Sequence, residues 1–207
     1  MVMKRIPPLL FGLLACLGVQ VWDAPAFAQG APAAKTGVEP EKPTRLTRQA
    51  RLDALYAKLK MAENTKAGEV IADQIERIWE NSGSDTANLM LQRAKQAIEQ
   101  KNYDLALDLL DHLIPLKPDW AEAYHRRAIV HFLTKDEDGA MRDLRAVLAR
   151  EPRHFQALAG LGLLFQMTGN EKAAYAAFTR AVEVHPHLED LAEKLAKMRI
   201  LIEGQPL

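Results

Sequence analysis

Residues 155–188 read FQALAGLGLLFQMTGNEKAAYAAFTRAVEVHPHL. Two apolar-rich segments flank Gly169-Asn170, where glycine tolerates a positive φ and a turn can form. Laid against residues 121–154 and 87–120, the stretch recurs with a period of 34. Pro118, Pro152 and Pro186 keep that spacing, as do Ala106, Ala140 and Ala174. So do Met90, Tyr124 and Leu158; Ala94, Ala128 and Gly162; Leu110, Leu144 and Phe178; and Leu113, Val147 and Ala181. A period of this length, held without a gap, marks a helical solenoid.

Each column has a physical reason. Ala121 to Thr134 and Glu137 to Arg150 read as the two helices of the middle unit. Ala128 and Ala140 fall where those helices cross, and small side chains let the backbones approach. Tyr124, Leu144 and Val147 fill the space around the crossing. Pro152 stops the second helix, since proline lacks the N–H and disfavours helical geometry in the preceding residue. Pro118-Asp119 is expected to supply the cap acceptor for the next helix.

These columns resemble the tetratricopeptide repeat (TPR). The third unit matches best, with Leu158, Gly162, Phe165, Ala174, Phe178, Ala181 and Pro186 at the family's positions. The second has His131 where a large aromatic is usual, and the first has Ala97 there. The resemblance implies an all-α, right-handed superhelical solenoid of antiparallel helix pairs. Three units are expected, 87–120, 121–154 and 155–188. Upstream, 44–86 reads as a degenerate N-terminal helix pair. Tyr56, Leu59, Ala72 and Trp79 are in place there, but Lys60 stands in the small-residue column and Ser84 replaces proline. Solenoid ends are commonly atypical. Downstream, 187–207 reads as a C-terminal capping helix and tail, with Leu188, Leu191, Leu195, Met198 and Ile202 on one face.

The resemblance also implies a concave groove lined by the first helix of each unit. It projects Leu91 and Lys95 from the first unit, His125, Arg126, Ile129, Phe132 and Leu133 from the second, and Leu163, Gln166 and Met167 from the third. The expected surface is an apolar strip with positive handles, which would hold a partner peptide or helix. Some of that strip is equally readable as core, filled by the capping helix. The TPR clamp for a chaperone's C-terminal carboxylate is not assembled, because its places hold Leu91, Lys95, Arg126, Gln156 and Gly160.

Catalytic signatures do not emerge. HExxH, the P-loop and GxSxG are missing from the sequence. His125 and His131 are six residues apart, roughly 240° around a helix, so they do not face one site. A non-enzymatic protein without cofactor or metal is expected. With 27 basic and 27 acidic residues the chain lacks the basic field that gathers nucleic acid. The expected partner is another protein, with homo-oligomerisation as the alternative: a self-associating structural subunit of an envelope complex whose groove is filled internally.

The N-terminus carries an address. Lys4 and Arg5 precede an apolar run from Leu9 to Val21, and Ala26-Phe27-Ala28 offers a small-x-small cleavage site. Residues 1–28 are expected to be a signal peptide, and 29–43, with Pro32, Pro40 and Pro43, a flexible linker. Cys16, the single cysteine, would leave with the signal. Export without disulfides fits a bacterial periplasm. The alternative is a lipid anchor on Cys16, since Leu13-Leu14-Ala15-Cys16 loosely resembles a lipobox. Membrane contact is expected only through the signal or that anchor.

Overall fold

The computed structural model describes residues 47–203. The expectations for residues 1–43, namely the signal peptide, the Cys16 anchor and the linker, lie outside the described residues. Within them are nine helices and no strand: α1 (Arg48–Lys60), α2 (Thr65–Trp79), α3 (Asp85–Glu99), α4 (Tyr103–Leu116), α5 (Ala121–Leu133), α6 (Glu137–Arg150), α7 (Phe155–Met167), α8 (Glu171–Val184) and α9 (Glu189–Glu203). Among the described residues, no helix is long and apolar enough to cross a membrane.

The turns inside the three repeat units are built alike. Asn102, Asp136 and Asn170, each 34 residues after the last, cap α4, α6 and α8 by accepting from the N–H groups of Leu105, Gly139 and Ala173. The residue just before each cap takes a positive φ: 59° at Lys101, 62° at Lys135 and 74° at Gly169. Sequence announces this left-handed position only at Gly169. The cap expected at Asp119 is not formed. Trp120 is the N-cap of α5 and makes no side-chain cap bond. Its indole N–H instead donates to the Trp79 carbonyl at 2.6 Å, so the start of α5 is tied to α2.

Small residues sit at the crossings. Ala94, Ala106, Ala128, Ala140 and Ala174 are buried, and a Cβ on Gly162 would collide with the Phe178 ring. Two clusters form the solenoid core, one around Leu91, Leu110, Leu113 and Trp120, the other around Leu144, Val147, Leu161 and Leu164. Met198 of α9 closes the far end against Phe178 and Ala174.

The α1–α2 pair departs from a simple continuation of the array. α4 packs along α5 and α6 along α7, but α2 does not pack along α3. The pair instead reaches the third unit. Leu52, Tyr56, Leu59, Ala72, Ile75, Ile78 and Trp79 make a core with Phe155. The Tyr56 hydroxyl donates to the Arg153 carbonyl at 3.0 Å, and Arg153 donates to Asp53 at 2.7 Å. Gly68 lies so close to the His187 ring that a Cβ would stand 2.8 Å from it. The chain thus closes on itself over a separation of about a hundred residues.

Candidate functional site

The concave side divides into two halves. The half next to the inter-repeat turns is occupied by α2. Glu80, at the end of α2, accepts from Lys95 of α3 and from Arg126 of α5, the latter at 2.9 Å. Glu76, one turn earlier, accepts from Gln156 of α7 at 2.8 Å. Lys95 and Arg126, expected as handles for a partner, are therefore held by the chain's own helix.

Two further residues expected in the groove, Leu91 and His125, are buried. Leu91 is fully buried, packed between α3 and its neighbours α4 and α5. His125, one repeat later in the same column, is also buried and faces His154. Leu91 thus meets neighbouring helices rather than the groove, whereas His125 also reaches the edge of an open cavity.

Behind α2 lies a buried polar network that the sequence did not announce. Glu122 is 1% exposed and His154 not at all. The Glu122 carboxylate stands 2.6 Å from Arg126 Nε, 3.6 Å from His125 Nδ1 and 3.4 Å from His154 Nε2. Burial works to raise the Glu122 carboxyl, but His125, His154 and Arg126 hold it well below the usual range. Burial, aided by His125, pushes the His154 imidazole down to about 4. Trp79 of α2 stacks on that neutral ring, with centroids 3.9 Å apart and planes 12° apart.

Glu122, His125 and His154 bring their ligand atoms within 4.8 Å of one another, as a metal site would. The surroundings suit an ion-pair network better. The Ala157 N–H donates to His154 Nδ1, which leaves the ring proton on Nε2, facing Glu122. Arg126 already sets a full positive charge against the same carboxylate. His131, the other histidine of α5, pairs apart from this network with Asp136 at 2.8 Å.

The second half of the concave side is open. Ile129, Phe132 and Leu133 of α5 and Leu163 of α7 line a cavity of about 180 Å³, with Leu144, Ala128 and Ala140 behind them. Gly160 makes room for it: a Cβ there would crowd Leu144 at 3.2 Å. His125 and Gln156 bring the polar groups at its edge. Phe132 is 39% exposed and Leu163 41%, and Met167 stands further out at the end of α7. Gln166, beside it, is half-buried.

Comparison with known proteins places this geometry. No family model matches the chain. A TPR repeat-containing protein of Rhizobium etli is 40% identical over 156 residues, covering 72% of this chain and 76% of that protein. The chain belongs to the TPR family. The first TPR of Spaghetti (RPAP3), bound to the HSP90 peptide SRMEEVD, superposes with a TM-score of 0.53 at 19% identity, over 57% of this chain and 94% of that one. The MamA protein superposes at 0.51 and 15% identity, over 73% of this chain and 81% of that one. These likenesses establish the all-α TPR solenoid.

Within the TPR solenoid, position 34 residues apart does not guarantee equal surroundings. Ile129, Phe132, Leu133 and Leu163 converge on one accessible apolar surface. Lys95, Arg126 and Leu91 are drawn into internal contacts, and the buried His125 is shared between the polar network and the cavity edge. Glu76, Glu80, His154 and Trp79 were not foreseen as parts of the groove. One signal was available: Trp120 and His154 share a column immediately before a first helix, where an aromatic and a histidine are unusual caps.

Proposed function

We propose that this TPR protein is a non-enzymatic scaffold or adaptor, exported to a bacterial periplasm, that holds a partner protein by an apolar side chain inserted between α5 and α7. The observation that carries the reading is the cavity under Phe132 and Leu163, about 180 Å³ and bounded almost wholly by aliphatic and aromatic groups. Small-molecule pockets run to roughly 300–1,000 Å³, so this one suits a single anchor side chain of a helix or extended segment. Recognition rests on apolar contact, because the charged handles are held by Glu80. Export is supported by the Lys4-Arg5, apolar and Ala26-Phe27-Ala28 pattern at the N-terminus.

In-cell photo-crosslinking from position 132 tests this. One dominant exported partner is expected, trapped from position 132 and lost when Gly160→Leu fills the cavity, with helicity retained. A partner still trapped in the filled variant would refute the pocket.

The second reading, a self-associating envelope subunit, draws on one observation: α2 already fills half of the groove. Its signature would be self-crosslinks from position 132 and a dimer in a light-scattering concentration series.

A further inference from the structure

We infer that the cleft at the open end of the α1–α2 hairpin binds a phosphate-type oxyanion through Arg48, Arg51 and Arg77. In an antiparallel hairpin the first turn of one helix lies beside the last turn of the other. Here that geometry brings Arg48 and Arg51 of α1 to Arg77 of α2 around a cleft of about 470 Å³. Leu55, Gln74, Ile78, Asn81, Ser82 and Gly83 complete its walls, and among the described residues no carboxylate lines it.

Three nearby acids are engaged elsewhere. Asp53 accepts from Arg153 and Gln49, Glu76 from Gln156, and Glu80 from Lys95 and Arg126. Asp73 stands one turn before Arg77 and forms no ion pair with it. Among the described residues, none of the three arginines forms an ion pair. The one hydrogen bond they make is from Arg48 to the Ile78 carbonyl, at 3.4 Å. The adjoining cleft, which shares Arg48, adds Lys117 and Arg150 along with Asp119 and Glu151. Arg150 is turned away, donating to the Pro118 and Ala146 carbonyls and to the Tyr124 hydroxyl.

Three guanidinium groups in one cleft repel one another, and an anion would relieve that repulsion. The planar fork of arginine matches phosphate oxygens two at a time. The turn amides do not compete as donors. The Ser82 N–H is taken by Asn88 and the Gly83 N–H by Asn81. Recognition would therefore rest on the side chains alone, and the ligand would be a phosphate-type oxyanion, free or carried on a lipid headgroup.

The test uses the full chain and R48Q/R51Q/R77Q, at constant ionic strength. Calorimetric titration with inorganic pyrophosphate reads the free source. Sedimentation with phosphatidylglycerol/phosphatidylcholine vesicles, against pure phosphatidylcholine, reads the headgroup. Saturable binding to either probe, weakened about tenfold or more in the triple variant with unchanged circular dichroism, supports the site. Binding to neither probe, or equal binding by the variant, overturns it.

Discussion

The Trp79 indole lies flat on the His154 imidazole, 3.9 Å from it, and joins α2 to the N-cap of α7. Trp79 is 1% exposed and its carbonyl accepts from Trp120, so one residue anchors α2 to both α5 and α7. Trp79→Ala is expected to cost about 3–5 kcal/mol. The loss should be local: hydrogen exchange should quicken across residues 48–79 while α5 to α8 keep their protection. Uniform loss of protection would show that the hairpin and the repeats form one cooperative unit.

The same ring sets a pH dependence. Unfolded, a histidine takes its proton near 6.5; His154 in the fold takes it only at about 4. Between those values the unfolded chain binds more protons, so stability falls as pH drops through that window. Glu122, held below 4.5, adds a further loss below that value, whereas Glu76, raised by burial and by Glu122, acts in the opposite sense. His154→Asn keeps a cap acceptor and removes the imidazole. Urea melts across pH 4 to 7 should show a shallower acid slope in this variant, and an unchanged slope would remove His154 from the account.

Lys101 and Lys135 hold φ angles of 59° and 62°, a region that costs a side-chain-bearing residue about 1–2 kcal/mol. Lys101→Gly and Lys135→Gly should each stabilise the fold, by about 1 kcal/mol at most once the greater freedom of unfolded glycine is set against the relief. Thermal melts of the two single variants check the sign.

Ala140 is fully buried at the α5–α6 crossing and also backs the apolar cavity. Ala140→Leu should destabilise by about 1–3 kcal/mol through overpacking. Phe132→Ala with Leu163→Ala touches only the exposed strip. It should leave helicity and the melting temperature close to wild type while abolishing partner capture. A collapse of helical signal in that double variant would mark the strip as core.

The period of 34 made the helix pairs of 87–186 legible, because each column answers to a contact within a unit or with the next one. The groove was legible as positions but not as neighbours. Leu91 and Ala159 share a column on equivalent first helices, yet Leu91 is packed under α4 and α5 while Ala159 is only half-buried. What separates them is the tertiary arrangement, not a local pattern. The bonds from Gln156 to Glu76 and from Arg153 to Asp53 span 80 and 100 residues, and no periodicity encodes pairings of that range. A trace was present in Lys60. It occupies the small-residue column of the 53–86 segment and is exposed, so no close crossing forms there.

Repeat arrays usually grow and shrink by whole units, since each unit touches only its neighbours. Here Tyr56 and Asp53 grip Arg153, and that grip measures the array. A duplicated 34-residue unit between residues 120 and 121 would carry Arg153 a full repeat away from its partners and leave Tyr56, Trp79 and Phe155 without their shared core. The hairpin acts as a ruler: it ties the number of units to the fold itself.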